Sequence, residues 1–195
     1  MEEVFGAFIT LFVIIDPIGN LPLVMTITKG MPAKEIKKNV DRSIFVASVL
    51  LFAFLFLGLQ IFDFLSINLE SFQIGGGIIL LIIGISYVFG VSGHFVKKHG
   101  GDLIVPVGTP LLTGPGAIMT TLILVREQGI LVTVIAAFFA LFASWIILIN
   151  SLKIYKILGE SWTNVISRIM GIILVSIAVN LMIKGILDVF ASVAY

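Results

Sequence analysis

About twenty consecutive apolar residues read as a helix across a bilayer, but the run from Val4 to Met25 carries Asp16-Pro17-Ile18-Gly19-Asn20-Leu21-Pro22 in its middle. A plain spanning helix tolerates none of it. Pro17 and Pro22 remove two hydrogen-bond donors and clash with the preceding turn. Gly19 adds backbone freedom, and Asp16 sets an ionisable group in hydrocarbon, where it is costly. A second break, Thr109-Pro110-Leu111-Leu112-Thr113-Gly114-Pro115-Gly116, interrupts the run from Leu103 to Val125. The two correspond. Asp16-Pro17 falls on Thr109-Pro110, and Asn20-Leu21-Pro22 on Thr113-Gly114-Pro115, at a constant offset of 93 residues. Hydrophobic segments interrupted by Gly and Pro at matching places in two halves point to a transporter's binding site.

Composition agrees with a membrane setting. Of 195 residues, 59% are hydrophobic and 12% charged, against about 45–50% and about 25% in soluble domains. The chain therefore reads as an integral membrane protein. Its net charge of +1 carries no sign of nucleic-acid binding, since the basic residues are confined to loops. Cysteine is absent, which excludes disulfides, thiol catalysis and Cys-based metal sites. His94 and His99 share one short loop and read as solvated interfacial residues rather than a metal pair. The N-terminus opens with Glu2 and Glu3 and lacks the basic region of a cleaved signal peptide, so the first span is expected to be retained.

Six runs are long enough to cross: Val4–Thr28, Ile44–Phe64, Phe72–Val91, Leu103–Val125, Ile130–Ile149 and Val165–Val189. Lys29, Lys34, Lys37, Lys38 and Arg42 follow the first span, Lys97 and Lys98 the third, and Lys153, Lys156 and Arg168 the fifth. Those are ten of the twelve Lys and Arg residues, and all fall on one side of a six-span arrangement. The positive-inside rule makes that side cytoplasmic and puts both termini outside the cytoplasm, in a plasma (inner) membrane protein.

The repeat extends beyond the breaks. Gln73-Ile74-Gly75-Gly76-Gly77-Ile78 resembles Arg168-Ile169-Met170-Gly171-Ile172-Ile173 at an offset of 95 residues. Each half holds three spans, so the second enters from the opposite face. The expected fold is all-α: one transmembrane domain over 1–195, built of two inverted-topology repeats at about 1–95 and 100–195, with discontinuous helices 1 and 4. Gly75, Gly76, Gly77 and Gly84 in the third span, and Gly171 in the sixth, mark close helix packing.

Depth follows from helix rise. At about 1.5 Å per residue, Asp16 lies roughly 18 Å along a helix from Val4, and Thr113 roughly 15 Å along one from Leu103. Both breaks fall near the midplane of a core about 30 Å thick. Irregular backbone at that depth must face protein or a water-filled cavity, and inverted symmetry brings the two together as one site. Half-helices starting after Asn20 and Thr113, with Pro22 and Pro115 in their first turns, offer free N–H groups and a positive dipole end. Asn20 and Thr113 suit N-cap positions. Gly114 and Gly116 leave the second N-terminus open to an anionic group. Carbonyls ending the preceding half-helices suit a cation. Donors for a carboxylate beside acceptors for an amine describe a small zwitterion such as an amino acid. Asp16 has two readings, as a transport carboxylate or as an acceptor for backbone donors freed by the prolines. Asn180 and Ser86 either line the cavity or bond between helices, and Gln73 and Arg168 are candidates for a gate or an interfacial anchor.

The first-span Asp-Pro-Ile-Gly-Asn-Leu-Pro, the fourth-span Thr-Gly-Pro-Gly and the sixth-span Arg-Ile-Met-Gly resemble the MarC family of integral membrane proteins. The likeness covers essentially the whole chain. It implies membrane transport of small neutral amino acids such as alanine and glycine, carried here by Asp16, Pro17, Gly19, Asn20 and Pro22 and by Thr113, Gly114, Pro115 and Gly116. Gln73 departs from the Arg expected at its position, which puts a charged gate in the third span in doubt.

The leading expectation is a secondary transporter, coupled to a proton or sodium ion and working as an exporter. It needs no other cofactor and no partner beyond substrate and bilayer. A passive channel would need a continuous polar path, which the apolar runs flanking each break oppose. An intramembrane enzyme is opposed by the lack of paired carboxylates, a His cluster or an activated serine at midplane depth. A non-transporting scaffold leaves the matched breaks unexplained. No nucleotide-binding loop is present. The loop charges make a direct prediction in this cysteine-free chain. Single cysteines at Lys37, Lys98 and Lys156 should label only from the cytoplasm, and those at Asp63 and Gln128 only from outside. Labelling of position 98 from outside would refute the six-span arrangement.

Overall fold

A computed structural model of the chain describes residues 2–21, 24–25, 28, 30–90 and 112–193. Six long helices are present among them: α1 (Glu2–Ile15), α2 (Ala33–Leu65), α3 (Leu69–Phe89), α4 (Pro115–Gln128), α5 (Ile130–Ile149) and α6 (Ser151–Val193). Four hold segments long and apolar enough to cross a membrane: Ala33–Gly58, Leu69–Phe89, Ile130–Ile149 and Ser161–Phe190. At 14 residues each, α1 and α4 do not. They reach about 21 Å, less than the hydrocarbon core. α1 ends at Ile15, directly before the first break, and α4 begins at Pro115, directly after the second. A helix end at the first break and a helix start at the second are therefore properties of the fold. The preceding part of the expected fourth span, with Thr109 and Pro110, lies outside the described residues. So do Pro22, Lys29 and the loop holding Lys97 and Lys98.

Two expected boundaries move. α2 starts at Ala33, not Ile44, so Lys34, Lys37, Lys38 and Arg42 ride on the first turns of this helix rather than on a loop. Pro32 starts it, with Glu35 in the first turn, and Ser66 ends it in a left-handed conformation (φ 54°). α6 runs from Ser151, but Gly159 (φ 75°, ψ 169°) breaks it. A short basic helix with Lys153 and Lys156 precedes the span proper.

α3 and α6 pack most extensively. A Cβ added to Gly77 would meet Met182 Cγ at 2.5 Å and the Ala178 carbonyl at 2.9 Å. At Gly84 it would meet the Gly171 carbonyl at 2.9 Å, and at Gly185 the Glu70 carbonyl at 2.9 Å. Partners fall on α6 as positions rise on α3, so the helices are antiparallel with backbones in contact. Of the glycines expected to pack, Gly77, Gly84 and Gly171 do so, whereas Gly75 has open space at its Cβ position. In lipid, such association draws on dispersion between closely fitted surfaces rather than on the hydrophobic effect.

Beside this pair, α1, α2, α4 and α5 enclose a buried cluster including Leu11, Ile15, Leu21, Leu51, Leu112, Ala117, Ala137 and Leu148. Residues flanking both breaks share it. α4 joins the two groups through Met119, which packs with Leu80, Tyr87 and Leu174. Every residue from Gly116 to Leu122 is buried, as expected of a helix surrounded by others. The outer surfaces of α2, α3, α5 and α6 stay apolar, with Phe45, Phe56, Ile82, Phe138, Ile172 and Ile183 exposed. A continuous surface of this kind belongs in lipid.

Gly84 and Gly75 separate seam from surface. Gly84→Val forces apart two backbones and should destabilise the protein by roughly 1–3 kcal/mol. Gly75→Ala should be neutral or slightly stabilising, since it raises helix propensity in open space. Thermal unfolding in detergent distinguishes them, and equal shifts would refute the seam.

Candidate functional site

The first break is a folded turn, not a frayed end. Asp16 adopts a left-handed conformation (φ 47°), which Asp tolerates better than most residues, and this ends α1. Its N–H still donates to the Phe12 carbonyl at 3.0 Å. The chain then turns through Pro17, Ile18 and Gly19 and resumes helical bonding, with Val24 N–H donating to the Asn20 carbonyl at 3.0 Å. Asp16 and Asn20 are 2% and 1% exposed.

Side chains satisfy the backbone that the turn frees. Gly19 N–H donates to Asp16 Oδ1 at 2.9 Å. Asn20 Nδ2 donates to the Ile15 carbonyl at 3.2 Å, so the amide closes the last turn of α1. Asn20 Oδ1 accepts from the Tyr87 hydroxyl. Asn20 thus ties α1 to α3, while the N–H groups it was expected to cap lie outside the described residues. Its neighbour Gly19 offers its carbonyl to Ser167 Oγ on α6 at 3.4 Å. The scaffold pair therefore holds the first break from two sides.

Asp16 is only half engaged. While Oδ1 takes the Gly19 amide, Oδ2 is buried with no hydrogen-bond partner among the described residues. A Cβ on Gly19 would lie 2.1 Å from Oδ2, so only glycine admits this carboxylate. An acceptor left open in a buried site is expensive unless something else fills it.

At the second break the capping residue is Gly114 (φ −74°, ψ 176°), with Pro115 at the first helical position and no side-chain cap. Thr113 was expected to cap α4, but its hydroxyl donates to the Ala47 carbonyl on α2 at 2.9 Å. The capping position falls one residue later, on Gly114, which has no side chain to cap with. Gly116 also differs from expectation. Its vacant Cβ position is closed by Leu80 at 2.3 Å, so this glycine admits α3 rather than a ligand. The first N–H groups of α4 nevertheless begin beside buried Leu112 and Thr113, in the same cluster as Ile14, Ile15 and Leu21.

The other candidates separate. Gln73 is 5% exposed, packs beside Gly185, and keeps an unpartnered Oε1. Arg168 is exposed near the end of α3, its Nη2 3.9 Å from the Cβ position of Gly90. Ser86 donates to the Ile83 carbonyl within its helix. Asn180 stands apart from the break turn, on the wall of a cavity between α1, α4 and α6. Thr28, Thr121, Thr133, Ser144 and Thr163 bond carbonyls four residues back, which explains buried hydroxyls without a site role. Among the described residues no cluster of His, Asp and Glu could hold a metal ion. Sequence reasoning missed Tyr87 and Ser167. Each is one polar residue on a long apolar helix, and only packing puts it at the break.

The comparisons with known proteins bear on this arrangement. The family model described as MarC family integral membrane protein matches residues 1–190. The chain is 37% identical over 194 residues to the UPF0056 inner membrane protein YhgN of Escherichia coli K12, covering 95% of this chain and 97% of that one. It is 31% identical to a UPF0056 membrane protein of Buchnera aphidicola, again over 95% and 97% of the two. With the UPF0056 membrane protein MJ1677 of Methanocaldococcus jannaschii identity is 29%, over 92% and 94%. No solved structure matches the chain.

The Tyr87–Asn20 contact can be measured by a double-mutant cycle of Tyr87→Phe and Asn20→Ala. Loss of the hydroxyl leaves a buried acceptor without its donor, at a cost of about 1–3 kcal/mol. The two changes together should cost less than their sum by about 0.5–3 kcal/mol. Additive losses of thermal stability would refute the contact.

Proposed function

This chain belongs to the MarC family of integral membrane proteins, and on that footing we propose that it is a secondary transporter of small neutral amino acids. The substrate binds at the breaks that end α1 and begin α4. The observation that carries this reading is the buried Asp16 carboxylate, one oxygen on the Gly19 amide and the other without a partner among the described residues. It lies where one half-helix ends, and its neighbours Ile14 and Ile15 share a buried cluster with Leu112, beside the N-terminus of α4. A cation suits the open oxygen, either the substrate ammonium or a coupling proton or sodium ion. The substrate carboxylate suits the positive N-terminal end of α4. The molecule is moved without covalent change.

Inverted-topology repeats belong to this proposal, with both termini outside the cytoplasm and one domain made of the two halves. The α3–α6 seam supports them. Gly185 packs against Gln73, and Gly90 lies against Arg168. Position 185 is 90 displaced by the repeat offset of 95, and 168 is 73 displaced by the same amount. Each end of the seam therefore repeats the other with the helices exchanged, as a two-fold axis in the membrane plane requires. The inner-membrane name of YhgN supports the same compartment for this chain.

Counterflow in proteoliposomes, with a panel of radiolabelled amino acids, tests the reading. Exchange of alanine or glycine is the expected outcome, and the absence of exchange for every small neutral amino acid would refute it. Asp16→Asn then separates the roles of the carboxylate. If Asp16 carries the coupling ion, the variant should still exchange substrate down its gradient and lose accumulation driven by an ion gradient. If it holds the substrate ammonium, both activities should fall together. Intact gradient-driven accumulation would leave Asp16 as a fixture of the turn only.

A further inference from the structure

A cavity of about 500 Å³ lies between α1, α4 and α6. Each helix contributes one stripe: Ile9 to Ile14 of α1, Thr120 to Gln128 of α4, and Ile177 to Lys184 of α6. Residues three, four and seven apart share a helix face, so the cavity follows the helices for about 10 Å. Its floor adjoins the first break, since Ile14 is two residues before Asp16. Thr120 lies six residues into the helix that Pro115 begins, again at the inner end. Its mouth is marked by Glu127 and Gln128 at the end of α4 and by Lys184 on α6. Lys184 adjoins Gly185, which packs against the first turns of α3, so the mouth is level with the α2–α3 turn.

The lining is wrong for lipid. Thr10, Thr120, Glu127, Gln128, Asn180 and Lys184 place polar groups on three helices that are otherwise apolar here. Ionisable and amide groups at such positions face water or protein rather than acyl chains. Gln128 Oε1 is buried and has no hydrogen-bond partner among the described residues, an acceptor beside the mouth. A cation, an anion and an acceptor at one opening match a molecule carrying both charges.

We propose that this cavity is a water-filled outer vestibule that captures a zwitterionic amino acid ahead of the central break. Lys184 takes its carboxylate, and Glu127 with Gln128 takes its ammonium. The identity of the ligand rests on the transport reading; the presence of water does not. Asn180, one turn below Lys184, is the next polar contact on the way down, and Thr120 the last before the break. The vestibule thus gives a role to two residues on the sixth span, Asn180 and Lys184, that the central site does not use.

Cysteine accessibility in reconstituted full-length protein tests this. A cationic, membrane-impermeant methanethiosulfonate reacts with the ionised thiol, which requires water. Asn180→Cys and Thr120→Cys should label from the face that carries Gln128, and Ile183→Cys, exposed on the same helix but outside the cavity, should label at least tenfold more slowly. L-Alanine should protect Asn180→Cys. In the Lys184→Gln background, protection should need about tenfold more alanine, as expected for loss of one charge-assisted hydrogen bond. Labelling of Asn180→Cys as slow as that of Ile183→Cys would mean that lipid fills the cavity, and would overturn the proposal. Rapid labelling without alanine protection, in protein that still exchanges alanine, would overturn the capture site and leave the transport reading intact. Failure of the unaltered protein to exchange any small amino acid would remove the transport reading and this ligand together, while the labelling would still decide whether the cavity holds water.

Discussion

In hydrocarbon, every backbone N–H and C=O must find a partner within the protein, because water is not there to supply one. The arrangement of this chain follows from breaking a helix under that constraint. Asp16 and Asn20 meet part of the demand locally, through the Gly19 amide and the Ile15 carbonyl. The rest comes from neighbouring helices. Tyr87 and Ser167 reach the first break from α3 and α6, and Thr113 ties the second to the α2 backbone. A break that needs so many neighbours has to lie inside the bundle, which explains why Asp16, Asn20 and Thr113 are among the most buried polar residues.

The same constraint shapes the scaffold. α3 and α6 meet backbone to backbone through Gly77, Gly84, Gly171 and Gly185, and this contact brings Tyr87 and Ser167 to the first break. Tyr87 itself is pinned, since a Cβ on Gly171 would lie 2.8 Å from Tyr87 Cβ. Glycines on the seam therefore act on the site indirectly, by setting where a hydroxyl stands. α1 and α4 have no such continuous seam. Both are short; α4 stands between the α3–α6 pair and the helices α2 and α5, and α1 packs chiefly on α5. Under the transport reading, these half-helices are the natural moving parts against a close-packed pair.

Site and outer cavity belong to one geometry. Ile14 forms part of the cavity wall two residues before the Asp16 turn, and the cavity follows the α1, α4 and α6 stripes outward to Lys184 and Glu127. Under the transport reading, both halves of a zwitterion then meet a charge of opposite sign at the mouth and a backbone terminus or carboxylate at depth. Protein dipoles serve at the buried position, where a full cation would be most expensive.

Much of this was legible in the sequence. Apolar run length, the prolines and the matched glycines determine that the chain is helical, lies in a membrane and is broken near Asp16 and Gly114, because proline cannot donate and hydrocarbon does not forgive the loss. The Gly-rich third span also marks itself as a packing surface. Partner identity is another matter. Thr113 has the chemistry of an N-cap, yet the capping position falls on Gly114 and the Thr113 hydroxyl donates to Ala47, while Asn20 takes Ile15 and Tyr87 as partners that no local pattern names. Gly116 has the look of an opening for a ligand, and Leu80 closes it. Asn180 was legible as a cavity-lining candidate, whereas Tyr87 and Ser167 carry no local signal of their place at the break. A short-range pattern determines where a helix must stop, since that depends on bonds within four residues. Which side chain then fills a vacated position depends on a helix arriving from 66 to 148 residues away, and that is decided only when the bundle closes.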